Sequence, residues 1–240
     1  QWAGISVAGP KSRDVLRSSL EDVSKITNEN LPFMGIISTF LKGKIPCRIA
    51  RISFSGELAF EIYVKSDFAN TMMDLIWKNV QKYDGCLYGL EALGALRIEK
   101  GHVTAAELDG RVTIDDAGLS KMASVKKSYI GSAMRKRGVL SDDDREILVG
   151  FFPQDLKETF NAGTIVCEEK SIKGQGIGRI TSVTYSPELG HHIGIGFVKG
   201  GLNIWKDKTL VGADPVRKKQ TKLKVVSPHM IDPSGERMYA

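Results

Sequence analysis

Along residues 57–65, Leu58, Phe60, Ile62 and Val64 alternate with Ala59, Glu61 and Tyr63. A period of two puts the first set on one face of a β-strand and the second set on the other. The same reading gives a strand around Ile5 and Val7 and successive strands over 36–41 and 45–54, with Gly43 in the turn between them. Ser55-Gly56 then turns the chain into the 57–65 strand. Gly9 and Pro10 set up a helix start, because proline is tolerated at a first helical position where an N–H has no partner. Val15, Leu16 and Leu20 give that helix an apolar stripe. Helical spacing returns over 67–82, through Phe68, Met72, Leu75, Ile76 and Val80, with Ser66 or Asp67 as its cap. It returns again in "YGLEALGALRIEKG", where Leu90, Leu93 and Leu96 share a face and Lys100-Gly101 is a stop signal. Helices alternating with hairpins predict an α+β layer, in which helices cover one side of an antiparallel sheet.

The pattern changes at 138–146, "GVLSDDDRE", a polar stretch with a glycine that reads as a linker, with Asp142, Asp143 and Asp144 as its decoration. Beyond it helical periodicity fades. Short strands are expected at 146–152, 163–168, 177–185, 192–198, 208–212 and 215–226, most of them separated by Gly or Pro. Such spacing predicts a small all-β barrel or sandwich. The expected organisation is therefore an α+β domain over 1–140, then a β-barrel domain over 146–240. No internal repeat or low-complexity segment interrupts it.

Composition narrows the class. With 240 residues, 42% hydrophobic and 26% charged, the chain has an ordinary globular make-up. No apolar run approaches the ~20 residues of a membrane-spanning helix, so no membrane role is expected. The opening "QWAGISVAGP" has neither the basic and apolar regions of a signal peptide nor a start methionine. It runs straight into a strand, as a piece of a longer polypeptide would. Cys47, Cys86 and Cys167 are isolated, which fits neither a disulfide framework nor a zinc site and points to a reducing, cytoplasmic setting. The net charge of +6 raises the question of a polyanion. In the densest basic stretch, "VRKKQTKLKVV", Lys222 and Lys224 alternate with Leu223 and Val225 as on a strand with one wet face. No aromatic residue interleaves with these lysines to stack a base, so nucleic acid is not the expected partner.

Few motifs carry chemistry. "GQGIG" at 174–178 and "GIGFVKGG" at 194–201 lack the strand–turn–helix setting of a dinucleotide fingerprint and read as turns and bulges. His191 and His192 point to opposite faces of a strand and cannot readily share a metal. No catalytic triad is visible, and neither a catalytic residue nor a metal site is assigned. Glu61 stands out as a carboxylate at the centre of a strand. Its face either meets water, or the small Ala59, the carboxylate and the aromatic Tyr63 line a ligand site.

The segments "RISFSGELAFEIYV", "YGLEALGALRIEKG", "ELDGRVTIDDAGLS", "KKSYIGSAM" and "GIGRITSVTYSPELGHHIGIGFV" resemble the tetrahydrofolate-dependent aminomethyltransferase family. That family includes the glycine cleavage T-protein, dimethylglycine oxidase and the alpha subunit of heterotetrameric sarcosine oxidase. The resemblance covers essentially the whole chain. "QWAGISVAGPKSRDVL", "EALGALRIEKGH" and "VVSPHMIDPSGERMYA" are most similar to the sarcosine oxidase alpha branch, near its C-terminal end.

The resemblance implies a folate site in which Glu61 grips the pterin, whose ring N–H and exocyclic amine form a two-donor edge that a carboxylate accepts in bidentate fashion. Phe54 matches a position where relatives carry a tyrosine near the folate, and Tyr63, on the strand face of Glu61, is a further candidate. Two departures stand against strict glycine-cleavage activity: Leu93 replaces an arginine of the T-protein pattern, a fork of donors, and Lys121 replaces a tryptophan. The family's acidic residue near the reacting folate nitrogen is expected upstream of the "AGP" motif, hence before residue 1.

The implied function is transfer of a one-carbon unit, derived from sarcosine as an imine, to tetrahydrofolate, giving 5,10-methylenetetrahydrofolate. FAD, FMN and NAD are expected only elsewhere in the parent complex, the partners are folate and the other sarcosine oxidase subunits, and the isolated chain is expected to be inactive. The alternatives are a T-protein-like aminomethyltransferase, a folate-dependent demethylase, or a non-catalytic subunit-contact module.

Overall fold

A computed structural model describes residues 1–169 and 175–240. Gly174 of the "GQGIG" motif lies outside the described residues. The chain forms two compact units, Gln1–Leu93 with Ser234–Ala240, and Gly94–Pro233.

The first unit is an antiparallel sheet in the order β1-β4-β3-β2, from β1 (Trp2–Ala8), β2 (Ile36–Leu41), β3 (Ile45–Ala50) and β4 (Ala59–Lys65). Helices α1 (Ser12–Ser19) and α2 (Ala69–Gln81) supply the apolar stripe that covers one face. The alternation along β4 decides which face: Phe60, Ile62 and Val64 are fully buried against Val15, Leu16, Met72 and Ile76. Cross-strand pairing carries the same parity into β1 and β3, placing Val7 beside Phe60 and Ile49 beside Ile62. Burying each such side chain contributes about 1.5–3 kcal/mol.

Several boundaries differ from the sequence reading; the second helix, for one, begins at Ala69 after a 3₁₀ turn over Ser66–Phe68, without a side-chain cap from Ser66 or Asp67. The first helix begins at Ser12, since the Gly9 carbonyl accepts from the Ser12 N–H and holds Pro10 and Lys11 in a turn before it. Strand β3 ends at Ala50 instead of running to 54; Arg51 beyond it is still buried, and its N–H donates to the Gly35 carbonyl. The left-handed Gly56 (φ +87°) then redirects the chain toward β4, a conformation open to glycine.

Helix α3 (Leu90–Lys100) stops where Lys100-Gly101 predicts. Gly101 is left-handed, its N–H bonds to the Ile98 carbonyl and that of His102 to the Arg97 carbonyl, the double closure of a Schellman end.

The second unit contains a closed antiparallel barrel in the order β10-β5-β8-β7-β6-β9. Its strands are β5 (Glu146–Pro153), β6 (Ile165–Cys167), β7 (Gly178–Ser186), β8 (His191–Lys199), β9 (Thr209–Asp214) and β10 (Lys219–Val226). The fold is thus the α+β sheet with covering helices followed by a small barrel. Glycines of the two rich motifs serve the closure: a Cβ on Gly196 would lie 2.2 Å from the Arg179 carbonyl oxygen. A register shift between Ile180 and Ser182 puts an irregularity in β7 opposite Gly196, outside the two glycine motifs themselves. His191 is buried against Phe152 while His192 meets Tyr185, on opposite faces of β8. Among the described residues no helix is long and apolar enough to cross a membrane, and no cluster of His, Cys, Asp or Glu could hold a metal ion.

Candidate functional site

The face of the first sheet opposite α1 and α2 carries the Glu61 parity. Glu61 is paired with Ser6 on β1 and Ala50 on β3, and Tyr63 with Gly4 and Arg48. Both Glu61 and Tyr63 are half-buried. The Tyr63 hydroxyl donates to Glu61 Oε2. This bond, then partial burial, then the carboxylate's charge raise the Tyr63 phenol above its ordinary value, so it stays a donor at neutral pH. The phenol ring lies across Gly4, where a Cβ would come within 2.9 Å of two ring carbons. Next along the face, the Arg48 guanidinium sits 4.7 Å from the Trp2 ring centroid, a cation–π pair that orients a positive charge beside an exposed aromatic.

The arrangement therefore offers, on one accessible face, a carboxylate oriented by a phenol, an aromatic surface and a guanidinium. Ionised Glu61 has about four lone-pair directions, of which the Tyr63 hydroxyl occupies one. The rest suit a ligand edge with two N–H donors side by side.

Phe54 lies in the irregular connection between β3 and β4 and is 40% exposed. The structure thus joins Glu61 to Tyr63 directly and places Phe54 off the ladder. Sequence reasoning missed Gly4, Ser6, Arg48 and Trp2 as neighbours of Glu61. Period-two parity gives their faces, but nothing local says that β1 and β3 flank β4.

A cleft of about 670 Å³ lies at the free edge of β1, with Ile76, Trp77 and Val80 of α2, residues 83–90 and Leu93 among its other walls. Leu93 belongs to its apolar lining, so an arginine's fork of donors gives way there to apolar surface. Glu61, Phe54 and Tyr63 do not line it. Lys121 is exposed on a short 3₁₀ turn, Ser120–Met122.

The second unit holds a buried polar network. Arg97 Nη1 donates to Glu107 Oε2 (3.0 Å) and Nη2 to Ser182 Oγ (2.7 Å), while Ser182 Oγ donates to Glu107 Oε1 (2.6 Å). The Thr104 N–H and hydroxyl complete the set on Oε2 at 2.8 and 3.0 Å. Burial pushes the Glu107 carboxyl up, but hydrogen bonds from Ser182, Thr104 and Thr181, with the charge of Arg97, leave it below its ordinary value. Every oxygen is occupied, and the network is structural.

Comparison with known proteins matches two family models in order, the GCVT N-terminal domain over residues 1–127 and the glycine cleavage T-protein C-terminal barrel domain over 147–232. The sarcosine oxidase subunit alpha of Rhizobium meliloti is 33% identical over 244 residues, covering 100% of this chain and 24% of its own length. That of Corynebacterium sp. (strain U-96) is 31% identical, with 99% and 25% covered. The aminomethyltransferase of Staphylococcus saprophyticus is 26% identical, with 96% and 60% covered. The crystal structure of the glycine cleavage system aminomethyltransferase T from Bartonella henselae has the same fold, with a TM-score of 0.77 and 20% identity over 97% of this chain and 60% of that one. The chain spans about a quarter of the length of the sarcosine oxidase subunits it matches. With both domains present in order and the sheet and barrel in place, the chain belongs to the glycine cleavage T-protein family.

Proposed function

We propose that this chain is the tetrahydrofolate-binding part of a sarcosine oxidase alpha subunit, working with the other subunits of a cytoplasmic complex to pass an imine-derived one-carbon unit to folate. The observation that carries the reading is Glu61, half-buried at the centre of an open sheet face and held by the Tyr63 hydroxyl. The pterin edge presents two N–H donors where Glu61 has acceptors to spare, so residues and ligand fit. Trp2 and Tyr63 give the flat ring an aromatic neighbourhood. Arg48 on the same face offers a cation to the carboxylates of the folate tail.

Tetrahydrofolate, when bound, supplies the nucleophilic nitrogen that accepts the one-carbon unit as 5,10-methylenetetrahydrofolate. The chain's own part is to bind and orient: Glu61 fixes the ring edge, and Tyr63 keeps the carboxylate from turning away. Such positioning accelerates a reaction by pre-set geometry, without covalent participation of the protein. In this reading a folate-binding domain covers 1–140 and a barrel domain 146–240. FAD, FMN and NAD belong to the rest of the parent complex, and the isolated chain is inactive. Leu93 in an apolar wall favours this reading over strict glycine cleavage.

The test is a tetrahydrofolate titration of the full-length parent protein and its Glu61→Gln variant. Exchanging one carboxylate oxygen for an amide donor, facing a donor, loses a charge-assisted pair worth about 1.5–3 kcal/mol, an affinity loss of about ten- to a hundredfold. An unchanged dissociation constant removes Glu61 from the site.

A further inference from the structure

Gly4 sits inside β1 with an extended backbone, outside the left-handed region that calls for glycine. A glycine within a strand weakens it, since it brings no side chain to pack and loses the most chain freedom on folding. What the position gains is room. An added Cβ would lie 2.9 Å from both Cδ1 and Cε1 of Tyr63, the residue opposite it on β4. The phenol ring therefore occupies the volume that a side chain at position 4 would take.

The backbone is poorly placed to yield this space. β1 and β4 pair residue for residue from Trp2 opposite Lys65 to Ala8 opposite Ala59, and β4 is paired on its other side with β3. On that side Arg48 faces Tyr63, with its guanidinium stacked on Trp2. The far end of the ring is held too, because its hydroxyl donates to Glu61 Oε2. A Cβ at position 4 leaves the ring one way out, a turn about its own side-chain bonds. The hydroxyl lies at the end of that lever, so it moves farther than the ring edge does. A hydrogen bond weakens steeply with such a change of distance and angle.

We propose that Gly4 is a positioning residue: the side chain it lacks is the seat of the Tyr63 ring, and this seat keeps the hydroxyl on Glu61 and so orients the carboxylate toward its ligand. The seat is a property of the sheet alone; its effect on folate rests on the reading given under Proposed function. An ordinary strand glycine gains stability on replacement by alanine, whereas Gly4 loses the orientation of Glu61.

The experiment uses the full-length parent protein with a fluorinated tyrosine built in at position 63, its phenol followed by fluorine NMR as the pH is raised. The charged groups around that phenol are Glu61 and Lys65 on its own strand face and Arg48 on β3, while β1 presents Gly4. The bond to Glu61 is the largest cause of the raised Tyr63 pKa. Gly4→Ala should therefore move the titration to lower pH, because the carboxylate no longer favours the protonated phenol. With the ordinary tyrosine in place, Gly4→Ala should bind tetrahydrofolate a few-fold more weakly, about as Tyr63→Phe does. The double variant Gly4→Ala/Tyr63→Phe should bind no more weakly than either, because both changes remove the same bond. An unchanged titration in folded Gly4→Ala shows that the ring makes room without leaving Glu61, and overturns the proposal; so do folate losses that add in the double variant. A shifted titration with unchanged folate affinity keeps the seat and rejects the folate reading of this face. If Gly4→Ala fails to fold, Gly4→Ala/Tyr63→Ala decides: removing the ring should restore folding, and a double variant that stays unfolded overturns the proposal.

Discussion

Glu61 and Glu107 both sit among apolar neighbours in sequence, yet they do opposite things. Glu107 is 0% exposed, with Arg97, Ser182 and Thr104 occupying both its oxygens. Glu61 lies half-buried on an open sheet face, and among the described residues its hydrogen-bond partner is Tyr63. A buried carboxylate therefore does not mark a ligand site. What marks one is acceptor capacity left over on an accessible face. The fully satisfied group holds the fold together, because removing its partner strands a charge in low dielectric.

The strongest way to sharpen that contrast is Arg97→Ala, which leaves Glu107 buried and unpaired. It should destabilise the protein by about 3–5 kcal/mol, read from urea unfolding, while the folate affinity of the molecules that remain folded stays unchanged. Glu61→Gln should behave in reverse, losing folate affinity as above while the unfolding free energy moves by less than about 0.5 kcal/mol. A large stability loss in Glu61→Gln would make the two carboxylates alike and break the comparison. Tyr63→Phe removes one neutral donor that orients Glu61, a loss of about 0.5–1.5 kcal/mol, so folate should weaken a few-fold, less than in Glu61→Gln.

The pH dependence separates the two regions by direction, with the smallest effect. Glu107 titrates below its ordinary 4.5 in the folded protein. Its contribution is present above that ordinary value and is lost as the pH falls through the folded one. Glu107→Gln should flatten the acid limb of the stability profile. Tyr63 titrates above its ordinary 10.0 in the folded protein. Its contribution is present below that value and is lost as the pH rises through the folded one, so Tyr63→Phe should flatten only the alkaline limb. Exposure to solvent keeps the Tyr63 effect small.

The sequence alone determined the elements and their inner faces. Period two along 57–65 put Phe60, Ile62 and Val64 inside, and helical spacing put Leu16, Met72 and Ile76 against them, because burial follows the geometry of each element. Gly101 announced the end of α3 through its backbone freedom, and the spacing of short strands announced the barrel. Glu61 could be singled out, and Tyr63 placed on its face, since both lie on one strand. Tertiary structure alone decided which strands flank β4, and so which residues share the face of Glu61: Gly4 beneath the Tyr63 ring, Arg48 stacked on Trp2. It also decided that Arg97 and Ser182, 85 residues apart, close around Glu107, and that Arg13 and Arg51 meet at Ala240, 189 residues beyond Arg51. Local periodicity reports how a residue faces its own element. Partners distant along the chain are chosen by packing, which no local pattern encodes.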